Sequence, residues 1–423
     1  MQEDAAAGAQ AAPAGTFAAL GVRDFRVLWA GAWASYVPFF MSGIVQGVVA
    51  FEISGRNRAV GTVTFAQGLA MLILAPIGGA GADRWPKRRV LAISQCVSGV
   101  TFGALALLYA LGLLTLGLLA AGSLAIGAAI SFLGPARQAF AAELVPPELR
   151  GNAVSLNQFP LSASQVIGPA LAGLLLASPL HATGAYALMA SLYAASGLTL
   201  FLLPPSRPRA NAVESHVLAD LRDGVRYVRS HERLRLLVVF FVGVVMSGLP
   251  YGTLLPGLVE HELGRPAEAV SALFFASALA GLCATFAAAR IADSPLAGPV
   301  FLAMPFVFAL GLLCLSAAPG FGLALAAMPV IGLGFGGLQS LNAAVIVRAA
   351  EPAYFGRVFS LTMLAFAGVS LMGLPVGAFA DWVGERRAVA GLAGLVLAIA
   401  VTVTARLRRQ APGGPAFEGR LRP

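Results

Sequence analysis

The stretch Pro147-Glu-Leu-Arg-Gly-Asn-Ala-Val-Ser-Leu156 recurs further along the chain as Pro352-Ala-Tyr-Phe-Gly-Arg-Val-Phe-Ser-Leu361, with Pro, Gly, Ser and Leu at matching places. The correspondence continues to Gly168 in the first copy and Gly373 in the second. Each copy lies inside an almost wholly apolar half of the sequence. Two halves that match in this way indicate an internal duplication of the parallel type known from membrane proteins.

The composition places the chain in lipid. Apolar residues make up 58% of the 423 residues, charged residues only 11%, and the mean hydropathy is +0.82, which is more apolar surface than one aqueous core could bury. The charges fall between apolar stretches of about 20 residues, the length of a membrane-spanning helix. An all-α membrane fold with two pseudo-symmetric six-helix halves is therefore predicted. Its spans are 27–51, 59–82, 90–111, 114–133, 153–177, 183–203, 236–255, 269–292, 297–317, 321–347, 358–380 and 388–405.

The basic residues predict the orientation, because Lys and Arg beside spanning helices are retained in the cytoplasm. If both termini are cytoplasmic, all but five of the 28 Lys and Arg residues lie on the inner side. This asymmetry accounts for the formal net charge of +9 without a nucleic-acid partner. The five exceptions are Arg56, Arg58, Arg265, Arg386 and Arg387.

Five segments follow from the pattern. Residues 1–22 and 407–423 are predicted to be disordered cytoplasmic tails, and residues 23–203 and 236–406 the two six-helix halves. Residues 204–235 form a cytoplasmic central loop that contains an amphipathic helix. That helix could lie on the anionic inner leaflet, and a solvated linker is the alternative. Leu218, Leu221, Val225 and Val228 share one face, and Arg222, Arg226, Arg229 and Arg233 share a neighbouring face.

The loop after the second span reads Gly79-Ala-Gly-Ala-Asp83-Arg84-Trp-Pro86-Lys87-Arg88-Arg89. It resembles the signature loop of the major facilitator superfamily, in which a glycine precedes an acid–base pair and a basic cluster. The family's usual glycine after that pair is a proline here. Small residues let a neighbouring helix approach closely, and a carboxylate at the membrane edge is stable when a positive charge pairs with it. The resemblance implies a twelve-helix transporter whose signature loop acts in gating.

A second resemblance points to one branch of that family. The stretches 134–139, 143–157 and 168–173 are similar to the bacterial exporters that include macrolide efflux proteins and the enterobactin exporter. The resemblance implies that Arg137, at the inner end of the fourth span, pairs with Asp83 and holds the cytoplasmic side shut in the outward-open state. Arg88 and Arg89 are alternative partners for Asp83.

Two glycine–proline positions predict helix flexing. Proline removes a backbone hydrogen bond, and glycine loosens the neighbouring turn. Gly168 with Pro169 and Gly373 with Pro375 are the two pairs. In exporters of this superfamily, a Gly-Pro pattern in the fifth helix is associated with antiport, and the match here is partial because Ser164 stands where a fuller pattern has glycine.

Neutral side chains dominate the predicted spans. A charge at mid-bilayer costs about 2.5 to 3.5 kcal/mol on insertion scales, and no acid lies at mid-depth in any predicted span. Neutral amides with aromatic side chains suit a large amphiphilic cargo. Helix-to-helix packing is an equal alternative for each of them singly. The cargo-cavity candidates are Tyr36, Phe40, Gln46, Gln67, Asn157, Gln158, Tyr251, Phe275, Gln339 and Asn342.

Proton antiport needs a group whose protonation changes with the side of access. Glu52 closes the first span at its outer end, and Asp83 lies at the inner edge of the second, so these two carboxylates are the coupling candidates. Glu52 could instead cap its helix or pair with Arg56 or Arg58 as an ordinary surface pair.

Three classes of function remain at this level. A secondary transporter that exports drug-like or siderophore-like amphiphiles is favoured, and a lipid or lysolipid flippase of the same fold is the alternative. An enzyme is not expected, because the sequence has no HExxH or GxSxG motif and no histidine inside a predicted span. We further expect a monomer in the bacterial inner membrane, with membrane lipids as neighbours and without a cofactor, a metal site or nucleic acid.

The predicted topology can be tested with single cysteines. In a background in which Cys96, Cys283 and Cys314 are replaced, Gly55→Cys should react with an impermeant maleimide added to intact cells, because residue 55 lies in an outer connector. Arg209→Cys lies in the central loop and should react only after the cells are permeabilised. Labelling of position 209 in intact cells would contradict the orientation.

Overall fold

The computed structural model describes residues 17–206, 217–351 and 354–409, without the side chains of residues 76, 79–84, 217–221, 356, 360 and 363. The described part of the chain is helical and contains no strand. The helices of the first half are α1 (Arg23–Ser54), α2 (Asn57–Arg84), α3 (Lys87–Ala110), α4 (Leu116–Glu143), α5 (Arg150–Leu176) and α6 (His181–Phe201). The remaining helices are α7 (Val217–Ser230), α8 (Glu232–Gly248), α9 (Tyr251–Gly257), α10 (Val270–Ile291), α11 (Ala297–Ala317), α12 (Phe321–Ala349), α13 (Phe355–Val383) and α14 (Glu385–Arg409).

Within the described residues, twelve helical segments are long and apolar enough to cross a membrane, which confirms the predicted fold class. The chain is therefore a multi-pass membrane protein. An even number of crossings places both termini at the same side, and we call that side the inner end and the opposite side the outer end, as the basic residues predict. Prolines inside spans, such as Pro38 in α1 and Pro135 in α4, are tolerated because neighbouring helices surround the freed backbone groups.

The seventh span is interrupted, which the sequence prediction of one continuous helix over 236–255 missed. Helix α8 ends at Gly248, α9 begins at Tyr251, and a turn of π-helix, Leu258–Glu262, completes the span. Pro250 lacks a backbone N–H and cannot continue the hydrogen-bond ladder of α8. Interrupted spans are common at transporter binding sites.

Both predicted tails include residues that are helical in the structure. A 3₁₀ turn, Ala18–Gly21, precedes α1, and the Ala19 N–H donates a hydrogen bond of 2.9 Å to Asn152 Oδ1 of α5. The prediction of disorder over residues 1–22 is therefore wrong for residues 17–22, because this apolar turn packs on the first half. At the other end α14 continues to Arg409 with Leu407 buried. Residues 1–16 and 410–423 lie outside the described chain.

Each half has its own apolar core. One cluster of buried side chains is built from residues of α1 to α6, and the other is built from α7 to α14. Ala267 is an exception, because this residue of the second half packs into the core of the first. The two halves thus behave as separate packing units that meet along α2 against α13 and α5 against α10.

The α2–α13 contact is closed at its outer part by glycines. A side chain at Gly61 would overlap the backbone of Gly373, and one at Gly377 would overlap the backbone of Asn57. Small residues therefore let the two backbones touch, as in other closely packed membrane helices. Between α5 and α10, Gly173 lies against the side chain of Ser271, so a small residue again allows the halves to approach closely.

The contact between α2 and α13 continues toward the inner end as far as Gly68. Gly68 of α2 still contacts Ala367 and Ser370 of α13. Further inward, Ala75 of α2, two helical turns beyond Gly68, is exposed, and Leu364 of α13 is 38% exposed. The contact between α2 and α13 that glycines permit thus extends from the outer end to Gly68.

The predicted amphipathic helix of the central loop is present as α7, and its described part packs on protein. Val228 and Tyr227 are buried in the core of the second half, and the Tyr227 ring stacks on Tyr354 with a centroid distance of 3.9 Å. Arg226 and Arg229 remain exposed. The side chains of Leu218 and Leu221 lie outside the described residues.

We call the α2–α13 contact at Gly61, Gly373 and Gly377 the glycine seam. It predicts the direction in which two matched substitutions change the thermal unfolding midpoint. Gly61→Ala should lower the thermal unfolding midpoint, because the methyl group overlaps the Gly373 backbone and overpacking costs about 1 to 3 kcal/mol. This exceeds the gain of about 1 kcal/mol in helix propensity. Gly43→Ala in α1 meets no atom within 4 Å and serves as the control, which should leave the midpoint unchanged or raise it. Scanning fluorimetry in detergent measures both, and equal midpoints would contradict the seam.

Candidate functional site

The two halves are tied together at the outer end by a carboxylate that caps a helix of the opposite half. Asp381, near the end of α13, accepts hydrogen bonds from the backbone N–H of Asn57 at 2.8 Å and of Arg58 at 3.0 Å. These are the first residues of α2, whose N–H groups have no partner within the helix. A carboxylate at this position gains charge-assisted hydrogen bonds and a favourable helix dipole.

A second carboxylate completes this contact, which we call the outer gate and define as Asn57, His261, Asp381 and Glu385. Glu385, the first residue of α14, accepts a hydrogen bond of 2.8 Å from Asn57 Nδ2 and lies 2.8 Å from His261 Nδ1. His261 also packs on Phe51 with a centroid distance of 5.3 Å. The hydrogen bonds that Asn57 and Arg58 donate to Asp381 and Glu385 thus join the two halves.

Glu52 lies beside the gate, in contact with neither Arg56 nor Arg58. Its carboxylate accepts a hydrogen bond of 3.2 Å from the Tyr109 hydroxyl and lies 3.5 Å from His181 Nε2. The alternative of a surface pair with arginine is therefore wrong, because α3 and α6 bring a phenol and an imidazole closer. Its part in proton coupling stays a prediction.

The signature loop is compact, with only Trp85 and Pro86 between α2 and α3. Lys87 is buried and forms an ion pair of 3.4 Å with Glu143 at the end of α4. Arg88 donates a hydrogen bond of 2.8 Å to the Leu203 carbonyl, and Arg89 is exposed. The basic cluster thus joins α3 to the ends of α4 and α6. The side chains of Gly79, Asp83 and Arg84 lie outside the described residues.

Arg137 lies inside the protein, not just beyond a helix end. The prediction placed the fourth span at 114–133, but α4 continues through Pro135 to Glu143 because a membrane helix tolerates the proline. The guanidinium is fully buried, lies 5.4 Å from the centre of the Tyr36 ring, and forms no hydrogen bond to any described residue. A buried cation held only by an aromatic face is costly. The predicted pair with Asp83 belongs to the outward-open state and stays a prediction.

The cargo-cavity candidates divide by exposure. Gln46 is buried and hydrogen-bonded to Ser123, so it joins α1 to α4 by packing. Tyr251 is buried and packs edge-on against Phe308, and Asn157 and Asn342 are buried as well. The candidates that keep an accessible surface are Tyr36, Phe40, Gln67, Gln158, Phe275 and Gln339.

The predicted flexing positions lie in unbroken helices. Gly168 is packed against Phe40 and Met41 of α1, and α5 runs through Pro169 without interruption. The Thr64 side chain occupies the space beside Gly373, and Pro375 is exposed within α13. In this state the glycines serve close packing, and flexing stays a prediction.

Sequence reasoning missed the outer gate and the histidines near it. Asn57, Asp381 and Glu385 sit at helix ends, where a polar residue is ordinary and carries no functional signal by itself. The sequence pattern places His181 and His261 outside the spans and gives them no role. The spacing Asp381-Trp-Val-Gly-Glu385 could have drawn attention, because two acids flank a glycine turn beside the membrane. Their partners come from α2 and from the end of the seventh span, which no local pattern reveals.

Twelve spans in two six-helix halves that are joined at one end by a gate are the architecture of a membrane transporter. The sequence profile of the Major Facilitator Superfamily matches residues 28–373, and the chain belongs to that family. Its proteins are transporters, not enzymes. Similar solved structures include the nucleoside transporter NupG (TM-score 0.66, 15% identity, covering 90% of this chain and 98% of that one). A bacterial homologue of the human lysosomal transporter Spinster, in an inward-facing and occupied conformation, gives a TM-score of 0.71 at 11% identity, with 91% and 96% covered.

The curated relatives are efflux-type transporters. Macrolide efflux protein A of Streptococcus pyogenes is 22% identical over 375 residues, which cover 85% of this chain and 90% of the relative. The staphyloferrin A transporter of Staphylococcus aureus is 25% identical over 264 residues, which cover 61% and 66%. The expected resemblance to this family and to macrolide efflux proteins is thereby confirmed.

The outer gate predicts a change in accessibility. Asp381→Ala removes the cap of α2, a loss of about 1 kcal/mol, and should shift the gate about fivefold toward the open state. A Thr64→Cys probe beneath the gate should then react faster with an impermeant maleimide. Glu262→Ala is the control, since Glu262 pairs with Arg386 within one half at 2.7 Å. Equal labelling of both variants would contradict the gate.

Proposed function

We propose that this transporter exports large amphiphilic molecules across the bacterial inner membrane by alternating access, driven by antiport with protons. The observation that carries the proposal is the neutral, partly accessible set of amide and aromatic side chains in both halves, among them Tyr36, Gln67, Phe275 and Gln339. Such a lining offers dispersion and a few hydrogen bonds to a drug-like or siderophore-like cargo. The similarity to macrolide and siderophore transporters supports this class of cargo.

The arrangement of the halves supports alternating access. The outer gate and the glycine seam hold the halves together at one end, while Ala75 and Leu364, further inward on α2 and α13, are exposed. Opening the outer end requires α2 to leave Asp381 and Glu385. The inner end must close in exchange, and we infer that the pairing of Asp83 with Arg137 stabilises that second state. Both termini are placed in the cytoplasm by the same proposal.

Proton coupling is proposed to run through Glu52 or Asp83. Glu52 is partly accessible at the outer end, where closure of the gate changes its surroundings. An acid that is wetted in one state and enclosed in the other binds its proton with different affinity in the two. Asp83 lies at the opposite end of α2 and is the second candidate.

Transport by proteoliposomes tests this function. In a buffer with EDTA, an imposed pH gradient should make a labelled macrolide accumulate against its own gradient, and a protonophore should abolish the accumulation. Labelled lysophosphatidylcholine serves as the lipid arm, and movement of this lipid without movement of the macrolide would favour a flippase. No pH-driven movement of either probe would contradict the proposal.

The coupling carboxylates are tested in the same assay. Glu52→Gln or Asp83→Asn should lower pH-driven accumulation about tenfold or more, because loss of a proton carrier uncouples the cycle. The control is Glu148→Gln, which changes an exposed carboxylate outside the cores. If both variants still concentrate the macrolide as the unsubstituted protein does, another group carries the proton.

A further inference from the structure

Three potential metal ligands meet beside the outer gate, and they come from both halves. Glu52 ends α1, His181 begins α6, and Glu268 lies in the 3₁₀ turn Ala267–Ala269 that precedes α10. One ligand atom from each of these residues lies within 4.8 Å of the other two, and Glu52 Oε1 is 3.5 Å from His181 Nε2. Ligands of a tetrahedral zinc site are about 3.4 Å apart, given metal–ligand distances of about 2.1 Å. The three side chains are partly exposed, so they can rotate and bring the ligand atoms to the separation that a zinc site requires.

The surroundings of these ligands are acidic. Glu52 and Glu268 line an open pocket of about 360 Å³ together with Glu260, and Arg265 is the one guanidinium in its lining. Closure of the outer gate brings Glu52 of the first half against Glu268 of the second. Two carboxylates at this distance repel each other unless a positive charge lies between them. A bound cation would turn this repulsion into an attraction between the halves.

Tyr109 orients the histidine as a ligand. Its hydroxyl donates a hydrogen bond to Glu52 Oε2 at 3.2 Å and lies 3.0 Å from His181 Nδ1. When the single phenol proton goes to Glu52, the Nδ1–H of His181 donates to the phenol oxygen. In that tautomer, the lone pair of His181 Nε2 points toward a lone pair of the Glu52 carboxylate. Metal-binding histidines are held in this way by an oxygen on the other ring nitrogen.

We propose that Glu52, His181 and Glu268 bind a first-row divalent cation of the zinc type at the outer end, and that this cation holds the outer gate closed. One imidazole nitrogen and two carboxylates suit Zn²⁺, whereas Mg²⁺ and Ca²⁺ prefer oxygen ligands alone. The site exists only while the halves are together, since Glu268 leaves with the second half when the outer end opens. A ligand that binds one state stabilises that state. External Zn²⁺ is thus an inhibitor of the cycle.

Binding is tested without any cargo, so its outcome is independent of the proposed export. Isothermal titration of the purified protein with Zn²⁺ should show one site, and Glu268→Gln should weaken it about tenfold or more. His181→Asn should do the same, and asparagine suits the φ of +44° at this position. Tyr109→Phe should weaken binding about tenfold. Glu260→Gln changes a carboxylate of the same pocket outside the ligand set and is the control.

The outcomes separate a built site from a general cation trap. Each variant is first checked for an unchanged unfolding midpoint in EDTA. Zn²⁺ should also slow maleimide labelling of the Thr64→Cys probe, and Glu268→Gln should remove that protection. Equal affinity for Zn²⁺ in Glu268→Gln and the unsubstituted protein would overturn the proposal. Full competition by equimolar Mg²⁺ or Ca²⁺, or binding with no change in labelling, would overturn it as well.

Discussion

The N-terminus of α2 is the point on which the closed outer end depends. A helix start leaves backbone N–H groups without partners, and in the middle of a protein interface those groups need acceptors. Asp381 supplies them from the other half. The hydrogen bonds can form only because Gly61 and Gly377 let α2 and α13 approach to backbone contact. Close packing of α2 against α13 and capping of α2 by Asp381 therefore depend on each other in holding the halves together.

The same closure gathers charge at the rim. Asp381 and Glu385 are satisfied by Asn57, by backbone N–H groups and by the neighbouring His261. Glu52 and Glu268, by contrast, meet at a pocket whose lining contains three carboxylates and one guanidinium, that of Arg265. An interface that must open and close cannot bury fixed opposite charges too tightly, since breaking them would cost several kcal/mol. Helix caps and a removable cation fit that requirement better.

The buried charges of the first half also affect the stability of the present state. Arg137 is enclosed against Tyr36 without a hydrogen bond to any described residue, while Lys87 nearby is paired with Glu143. A buried guanidinium of this kind makes the present state less stable than it could be. Such a cost is compatible with a protein that has a second state of similar free energy. In the proposed cycle, the stability of each state rests on a few polar contacts at opposite ends of the same helices.

The twelve spans, the duplication and the family signature could all be predicted, because span length, apolar periodicity and a loop motif are local properties of the chain. The orientation remains a prediction from the basic residues. Local patterns failed where a partner comes from far away. They ended the fourth span at residue 133, before Pro135, and missed the break at Pro250. They offered neighbouring arginines as alternative partners of Glu52, whereas Tyr109 and His181 are its neighbours in the fold. Hydrophobicity decides that a segment crosses the membrane. Only packing decides which helix ends meet, so the gate between Asn57 and Asp381 became visible only in the folded chain.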